Sequence, residues 1–400
     1  MRNHILSRLT ALLLVLVLLP SLVCAELTET LTVGSKGDDV LRVKKRLYEL
    51  GYYRSETFTR RYTEETAETV CTFQQLNGLP ETGETDTQTA LVLFSDQAVR
   101  APHPTLTPLA TPAPVTLPDF PPRDADGFLL SDEEYIYEQD EEGVWIYLSH
   151  TLQVIIRRHE DSKASLQWFE TEIFTAGDEA FRTVATDPEH PGRSFRYPYV
   201  IAQDEQFVLG FSDDFYGNRM RNGEKVGIII REGQVLSSET NRTNGHHLPN
   251  LDMMAQYPDG TLAVYPCNAY TADELLQMGA VNVFSFGPWL IRDGEINELV
   301  YKYYKSIEPR QALGMIAPNH YLLLSVQGRT STSKGTTLQR MAEMMQAHGV
   351  TQALNLDGGN TMALVFRGRM LNKLATYKRK KFVRTVTSLI GIGHTEQIEP

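Results

Sequence analysis

The sequence predicts an α+β protein in two folded parts, a small three-helix N-terminal bundle and a larger mixed, strand-rich C-terminal domain. Three observations carry that prediction. Four hundred residues with 42% hydrophobic content exceed what one core ordinarily absorbs. From Ala101 to Pro122 the chain holds eight of its twenty prolines without helical or strand periodicity, the mark of a polyproline-type spacer. Apolar residues recur at helical spacing before that spacer, and mostly in short β-rich runs after it.

Residues 1–25 read as a cleavable signal peptide. Arg2 and Arg8 precede an apolar run from Leu12 to Leu19, and Val23-Cys24-Ala25 supplies a small-residue ending. The run is too short for a membrane span, which takes roughly 20 apolar residues, and no later segment reaches that length. The expectation is therefore an extracellular protein with no transmembrane segment after cleavage. Cys24 raises lipidation as an alternative, but bulky Val23 stands where such signals place a small residue.

Between residues 26 and 100, Val40, Val43, Leu47 and Leu50 share one helical face closed by Gly51. Thr63 is placed to cap a second helix whose face is Ala67, Val70, Cys71 and Phe73 or Leu76, and Asp86 a third containing Ala90, Leu91, Leu93 and Phe94. Residues 101–124 form the linker. In 125–400 the β-rich runs are Val144–Tyr147, Phe207–Gly210, Gly227–Ile230, Leu262–Tyr265, Tyr321–Val326 and Ala353–Leu356, with helices at Ala272–Met278 and Thr336–Ala347.

Composition narrows the function. A net charge of −12 argues against a general nucleic-acid binder, because phosphate neutralisation needs a basic face. The local run Lys378-Arg379-Lys380-Lys381 is read first as solvated surface and second as contact with an anionic polymer. Cleavage after Ala25 leaves only Cys71 and Cys267, read as buried free thiols rather than a disulfide framework. No His-Glu-x-x-His helix is present, and Cys267 lacks the context of a transpeptidase nucleophile. His246-His247 sits in a polar stretch that reads as a surface loop before it reads as a metal site. No metal site or cofactor is expected, although a divalent metal stays open.

Val33-Gly34-Ser35-Lys36-Gly37-Asp38-Asp39-Val40, Leu47-Tyr48-Glu49-Leu50-Gly51-Tyr52, Phe73-Gln74-Gln75-Leu76-Asn77-Gly78-Leu79 and Thr82-Gly83 resemble the peptidoglycan-binding domain of cell-wall enzymes. The resemblance implies cell-wall association through peptidoglycan or another wall polymer. Tyr52, Tyr53, Gln74 and Asn77 are candidate glycan contacts, with a structural role as the competing reading for each.

The most informative C-terminal segment is Ala353-Leu354-Asn355-Leu356-Asp357-Gly358-Gly359-Asn360-Thr361-Met362. A strand delivers Asp357 to its end, and two glycines let backbone approach a ligand with N–H groups aimed at an anion. Read alone, Asp-Gly between apolar runs also fits a hairpin turn. Together with Phe284-Ser285-Phe286-Gly287-Pro288, Glu308-Pro309-Arg310-Gln311-Ala312-Leu313-Gly314, Val326-Gln327-Gly328-Arg329 and Ser333-Lys334-Gly335-Thr336-Thr337-Leu338, it resembles the phosphodiester glycosidase family. That resemblance implies hydrolysis of a sugar C1–O–P linkage, with Asp357, Arg310 and Arg329 in the pocket. Gly358, Gly359, Asn360, Thr361, Ser285 and Gly287 are the substrate-binding candidates.

The chemistry suits these residue types. A departing phosphate needs a cation more than an acid, and Arg310 or Arg329 can grip two oxygens. An oxocarbenium-like sugar needs a carboxylate beside C1, for which Asp357 is the first candidate and Asp214 the second. A structural ion pair is the competing reading for each arginine. The chain departs from the family's Asn-Gly-Asp or Asn-Gly-Gly turn at Ser212 and Asp213, and from Gly-Gly-Gly-Ser at Asn360 and Thr361. The reading is an exported, wall-held glycosidase acting on sugar-1-phosphodiester linkages of envelope glycopolymers. Its rivals are a non-catalytic wall or glycopolymer binder with a degenerate glycosidase domain, and an enzyme cleaving at phosphorus.

Overall fold

The computed structural model describes residues 27, 29–53, 58–102, 119–224, 226–239, 251–302, 304–373, 375–377 and 380–399. The signal-peptide segment, most of the proline-rich spacer, His246-His247 and Lys378-Arg379 lie outside the described residues. The chain divides into two compact units, Met1–Thr105 and Leu106–Pro400. Among the described residues no helix is long and apolar enough to cross a membrane.

The N-terminal unit holds three helices, α1 (Asp38–Glu49), α2 (Glu64–Leu76) and α3 (Thr87–Leu93). Their starts follow from local chemistry. Thr63 and Thr66 form a reciprocal capping box at α2, and the Asp86 side chain accepts from Thr89 N–H at α3, satisfying amide groups a helix start otherwise leaves open. Gly51 and Gly78 take φ of +87° and +66° just beyond α1 and α2, where a side chain would be strained. Val40, Val43, Leu47, Leu50, Val70, Phe73 and Leu93 close the core. The expected α2 face is narrower than its spacing implied, because Leu76 is 39% exposed at the helix end. Cys71 and Cys267 are half-exposed rather than buried, and both are free.

The C-terminal unit is built on a nine-stranded antiparallel sheet. Its order is Tyr135–Gln139, Val144–Leu148, Leu152–Asp161, Leu166–Thr175, His320–Val326, Arg310–Ala317, Gln352–Leu356, Trp289–Arg292 and Glu295–Ile296. A five-stranded sheet centres on Asn282–Phe286 between Asp252–Gln256 and Ile228–Arg231, and a second centres on Leu209–Phe211 between Leu364–Phe366 and Ser388–Ile392. Side chains from all three sheets, among them Phe169, Phe211, Phe284, Leu313, Leu356 and Ile390, share one core. On the other face of the large sheet, Leu338–Ala347 buries Leu338, Met341, Ala342 and Met345.

This arrangement sends the ends of three buried strands toward one region. Leu209–Phe211 leads into Ser212, Asp213 and Asp214; Gln352–Leu356 leads into Asp357; Asn282–Phe286 contains Ser285. Gln311, paired in register with Leu356, ties the first two together. Its side chain accepts from Ser212 N–H at 2.9 Å and donates to the Ala363 carbonyl at 2.9 Å.

Candidate active site

Asp357 follows a strand whose last two residues, Asn355 and Leu356, are buried. Its own backbone N–H donates to the Asp213 carbonyl at 3.0 Å, so the two acidic turns are stitched together. The Asp357 carboxyl accepts from Gly358 N–H at 2.9 Å. Burial pushes its pKa up to about 6, opposed by the Thr361 hydroxyl, the charge of Arg384, the Gly358 amide and the charge of Arg219.

Gly358 and Gly359 do what two residues without Cβ atoms allow. A Cβ on Gly358 would stand 2.6 Å from the Pro309 carbonyl oxygen, and Gly359 has φ of +64°. Gly359 N–H donates to the Pro309 carbonyl at 2.9 Å, so this amide is engaged inside the fold rather than aimed outward. Beyond them Gly359, Asn360, Thr361, Pro309, Gly328 and Arg384 line a narrow pocket. Its volume is about 10 Å³, room for about one water.

Asp214 occupies a different setting. It is fully buried, and its Oδ2 accepts from Arg231 Nη2 at 2.8 Å and from Ser285 N–H at 3.0 Å. Ser285 is equally buried, its hydroxyl donating to the Ile228 carbonyl. Gly287 and Asn355 exchange hydrogen bonds, Gly287 N–H to the Asn355 carbonyl and Asn355 Nδ2 to the Gly287 carbonyl. Ser285 and Gly287 thus shape the strands behind the acidic turns and do not line the narrow pocket.

The two predicted arginines are both committed locally. Arg329, with a φ of +55°, is ion-paired to Glu308 and donates to Asn360 Oδ1. Arg310 starts the strand whose next residue, Gln311, pairs with Leu356, but its guanidinium turns to Ser306, donating to the carbonyl at 3.2 Å and to Oγ at 2.9 Å. Burial, more than its neighbours, lowers its pKa.

Four groups escaped the sequence reading as site residues. Asp213, a departure from the family's turn, is buried, with Phe215 N–H donating to Oδ1 at 3.0 Å and the Ser388 hydroxyl donating to Oδ2. Burial first, and then the charge of Asp214, push its carboxyl up to about 7. Arg219 is wholly buried, its Nη2 donating to the carbonyls of Val226 at 3.0 Å and Ser285 at 2.6 Å. Its Nε and Nη1 have no partner among the described residues, and its charge acts on Asp214, Asp213 and Asp357. Arg231 neutralises Asp214. Arg384 is exposed on the pocket wall and acts on Asp357. No motif marked these residues, because each is defined by where three separate strands end. Among the described residues no group of three or more His, Cys, Asp or Glu is placed to hold a metal.

Asn360 acts as a clasp. It accepts from Arg329 and donates to the Ala375 carbonyl at 3.2 Å, while Thr376 N–H donates to the Arg329 carbonyl at 3.0 Å. These bonds hold the segment at residues 375–376 against the pocket.

In the N-terminal unit all four candidate glycan contacts have internal partners. Gln74 is buried, bonded to Thr82, Thr89, the Glu84 carbonyl and Gly83 N–H. Tyr53 is buried and meets Thr66 Oγ1 at 3.2 Å. Tyr52 donates to the Val99 carbonyl, while Asn77 donates to the Phe73 carbonyl and accepts from Val99 N–H.

Comparison with known proteins follows the same division. Residues 206–393 match the family described as phosphodiester glycosidase, and residues 36–93 match the family described as putative peptidoglycan binding domain. A SPbeta prophage-derived uncharacterized protein, YomE, of Bacillus subtilis is 28% identical over 169 residues, 42% of this chain and 26% of its own. N-acetylglucosamine-1-phosphodiester alpha-N-acetylglucosaminidase of Mus musculus is 28% identical over 174 residues, 38% of this chain and 31% of its own. The chain therefore spans less than a third of either relative's length. The catalytic domain of the zebrafish enzyme of that name aligns with a TM-score of 0.48 at 19% identity, covering 62% of this chain and 84% of that one.

Proposed function

From a C-terminal unit that carries a phosphodiester glycosidase match over residues 206–393, we propose that this protein hydrolyses sugar-1-phosphodiester linkages of envelope glycopolymers. We propose too that it acts outside the cytoplasm, held at the wall by its N-terminal module, with domain limits at residues 26–100, 101–124 and 125–400. The observation that carries the reading is Asp357, a buried carboxyl pushed up to about 6, which stands just before the turn Gly359, Asn360 and Thr361 that lines a pocket with the exposed Arg384, whose charge acts on it.

Above that pKa Asp357 is ionised, as a nucleophile toward C1 or a base for the attacking water must be. The C1–O bond breaks, the phosphate departs as a monoester anion, and water supplies the hydroxyl that ends on C1. Arg384 is the cation placed to receive the departing charge, since Arg329 already faces Glu308 and Arg310 is turned to Ser306. Both retain the second role, fixing the loops that form the pocket wall. Asp214, paired with Arg231, holds charge behind the site rather than at it. A pocket of about 10 Å³ does not admit a sugar ring, so binding requires the segment held by Asn360 to move.

That closure is also the observation favouring the second reading, a glycopolymer-binding protein whose altered turns no longer support turnover. One assay separates the two. Purified protein is offered an N-acetylglucosamine-1-phosphodiester, and release of free sugar is followed. Activity that falls at least ~100-fold in Asp357→Asn, the scale for losing a catalytic carboxylate, supports the hydrolase. An inert wild type that binds the diester as tightly as Asp357→Asn does leaves the binding protein.

A further inference from the structure

Beside the narrow pocket lies an open groove of about 520 Å³, within the roughly 300–1,000 Å³ of ordinary ligand clefts. The two share Met370, Asn372, Lys373 and Val383 as lining, so the groove continues directly from the pocket wall that carries Asn360 and Arg384. We infer that this groove is a polymer subsite. It takes the part of a phosphodiester-linked glycan chain beyond the scissile phosphate, with a sugar ring on Tyr199 and the next phosphate at Lys373. The inference rests on the hydrolase reading and adds where the neighbouring repeat of such a polymer is held.

Three features carry it. The first is aromatic, since half-buried Tyr199 lines the groove and is backed by exposed Tyr197, the two rings stacking with centroids 5.5 Å apart and planes 8° from parallel. Flat aromatic faces with a polar tip suit the apolar face of a pyranose and its hydroxyls. The second is charge. In a chain of net charge −12, no Asp or Glu is among the described residues lining the groove. Lys373 is exposed there with no carboxylate at ion-pair distance among the described residues. An unpaired ammonium in an acid-free groove is a place for an anion. The third is free hydrogen-bonding capacity. The hydroxyls of Tyr199 and Ser331 make no hydrogen bond among the described residues, whereas Asn372 is consumed by the Met362 carbonyl and Leu364 N–H.

The test uses the full chain and two probes, a methyl diester of N-acetylglucosamine-1-phosphate and a tetramer of N-acetylglucosamine-1-phosphate repeats. Tyr199→Ala is expected to raise KM for the tetramer about tenfold and leave the methyl diester within about twofold of wild type. Ser331→Trp, a change at an exposed turn that fills the groove, gives the same pattern and serves where Tyr199→Ala disturbs packing. Lys373→Gln flattens the salt dependence of the tetramer KM. Equal kcat/KM for the two probes in wild type, or variants that alter both probes alike, overturns the inference. A wild type that cleaves neither probe removes the hydrolase reading instead. Calorimetric binding of the tetramer then decides the groove, which stands if Tyr199→Ala weakens binding about tenfold and falls if binding is unchanged.

Discussion

Replacing Asp213 by Asn is expected to stabilise the C-terminal unit at pH 8, although it removes an acidic residue beside two buried arginines. The reason is the direction of the shift. Burial and Asp214 raise the Asp213 carboxyl from 3.8 to about 7, so between these values the folded state holds a proton that the unfolded chain has released. Stability linked to this group is then fully present below pH 3.8 and lost as pH rises through about 7. Between pH 5 and 8 that loss amounts to roughly 2–3 kcal/mol. An amide at this position has an oxygen for Phe215 N–H and an NH2 that the Ser388 hydroxyl can accept, so the contacts survive without the titration. All three tryptophans, Trp145, Trp168 and Trp289, lie in the C-terminal unit, so denaturant unfolding followed by tryptophan fluorescence reports this unit alone. The pH 5 to pH 8 loss of stability should shrink by about 2 kcal/mol in the variant. A variant with the same pH slope as wild type, or one less stable at pH 8, refutes the argument.

Asp214→Ala has the opposite character, because it leaves Arg231 and the half-partnered Arg219 buried without their nearest counter-charge; unfolding by the same fluorescence assay should show a loss of about 3–5 kcal/mol. Asn360→Ala removes the clasp on the Ala375 carbonyl, so hydrogen exchange at the Thr376 amide should accelerate, at a stability cost of about 1 kcal/mol. Unchanged exchange there would mean that the Arg329 carbonyl alone holds the segment. Limited proteolysis should cut first between Ala101 and Arg123, where eight prolines keep backbone out of any sheet. Cutting elsewhere first overturns the proposed linker.

The difference between what the sequence revealed and what it hid is physical. Periodicity and caps depend on residues a few positions apart, so the α1 face, the Thr63 and Asp86 caps and the strand at Leu262–Tyr265 were all visible along the chain. The two longest strands, Leu152–Asp161 and Leu166–Thr175, were missed because charged residues face out on their half-buried sides. Arg157 meets Glu172, and His159 meets Glu170, partners found only across the sheet. The site follows the same rule. Asp357 became a candidate because its strand and glycines stand together with the family-like motifs around them, since Asp-Gly alone also fits a hairpin turn. Arg219 and Arg384 did not, since their relation to Asp357 passes through three sheets and a separation of 138 and 27 positions in the numbering.

The same distinction explains why the predicted arginines changed meaning. The family resemblance implied Arg310 and Arg329 in one pocket with Asp357, and in the structure the strand Arg310–Ala317 runs beside Gln352–Leu356, with Gln311 opposite Leu356. Direction is a separate matter. Glu308, two residues before Arg310, takes the Arg329 charge, and Ser306 takes the Arg310 guanidinium. A cation already matched by a carboxylate gives little to a departing phosphate, whereas Arg384 lines the pocket exposed, with no ion pair among the described residues. On the proposed hydrolase reading Arg384 therefore stands ahead of Arg329 for receiving charge, while Arg310, whose guanidinium is turned to Ser306, ties down its own loop.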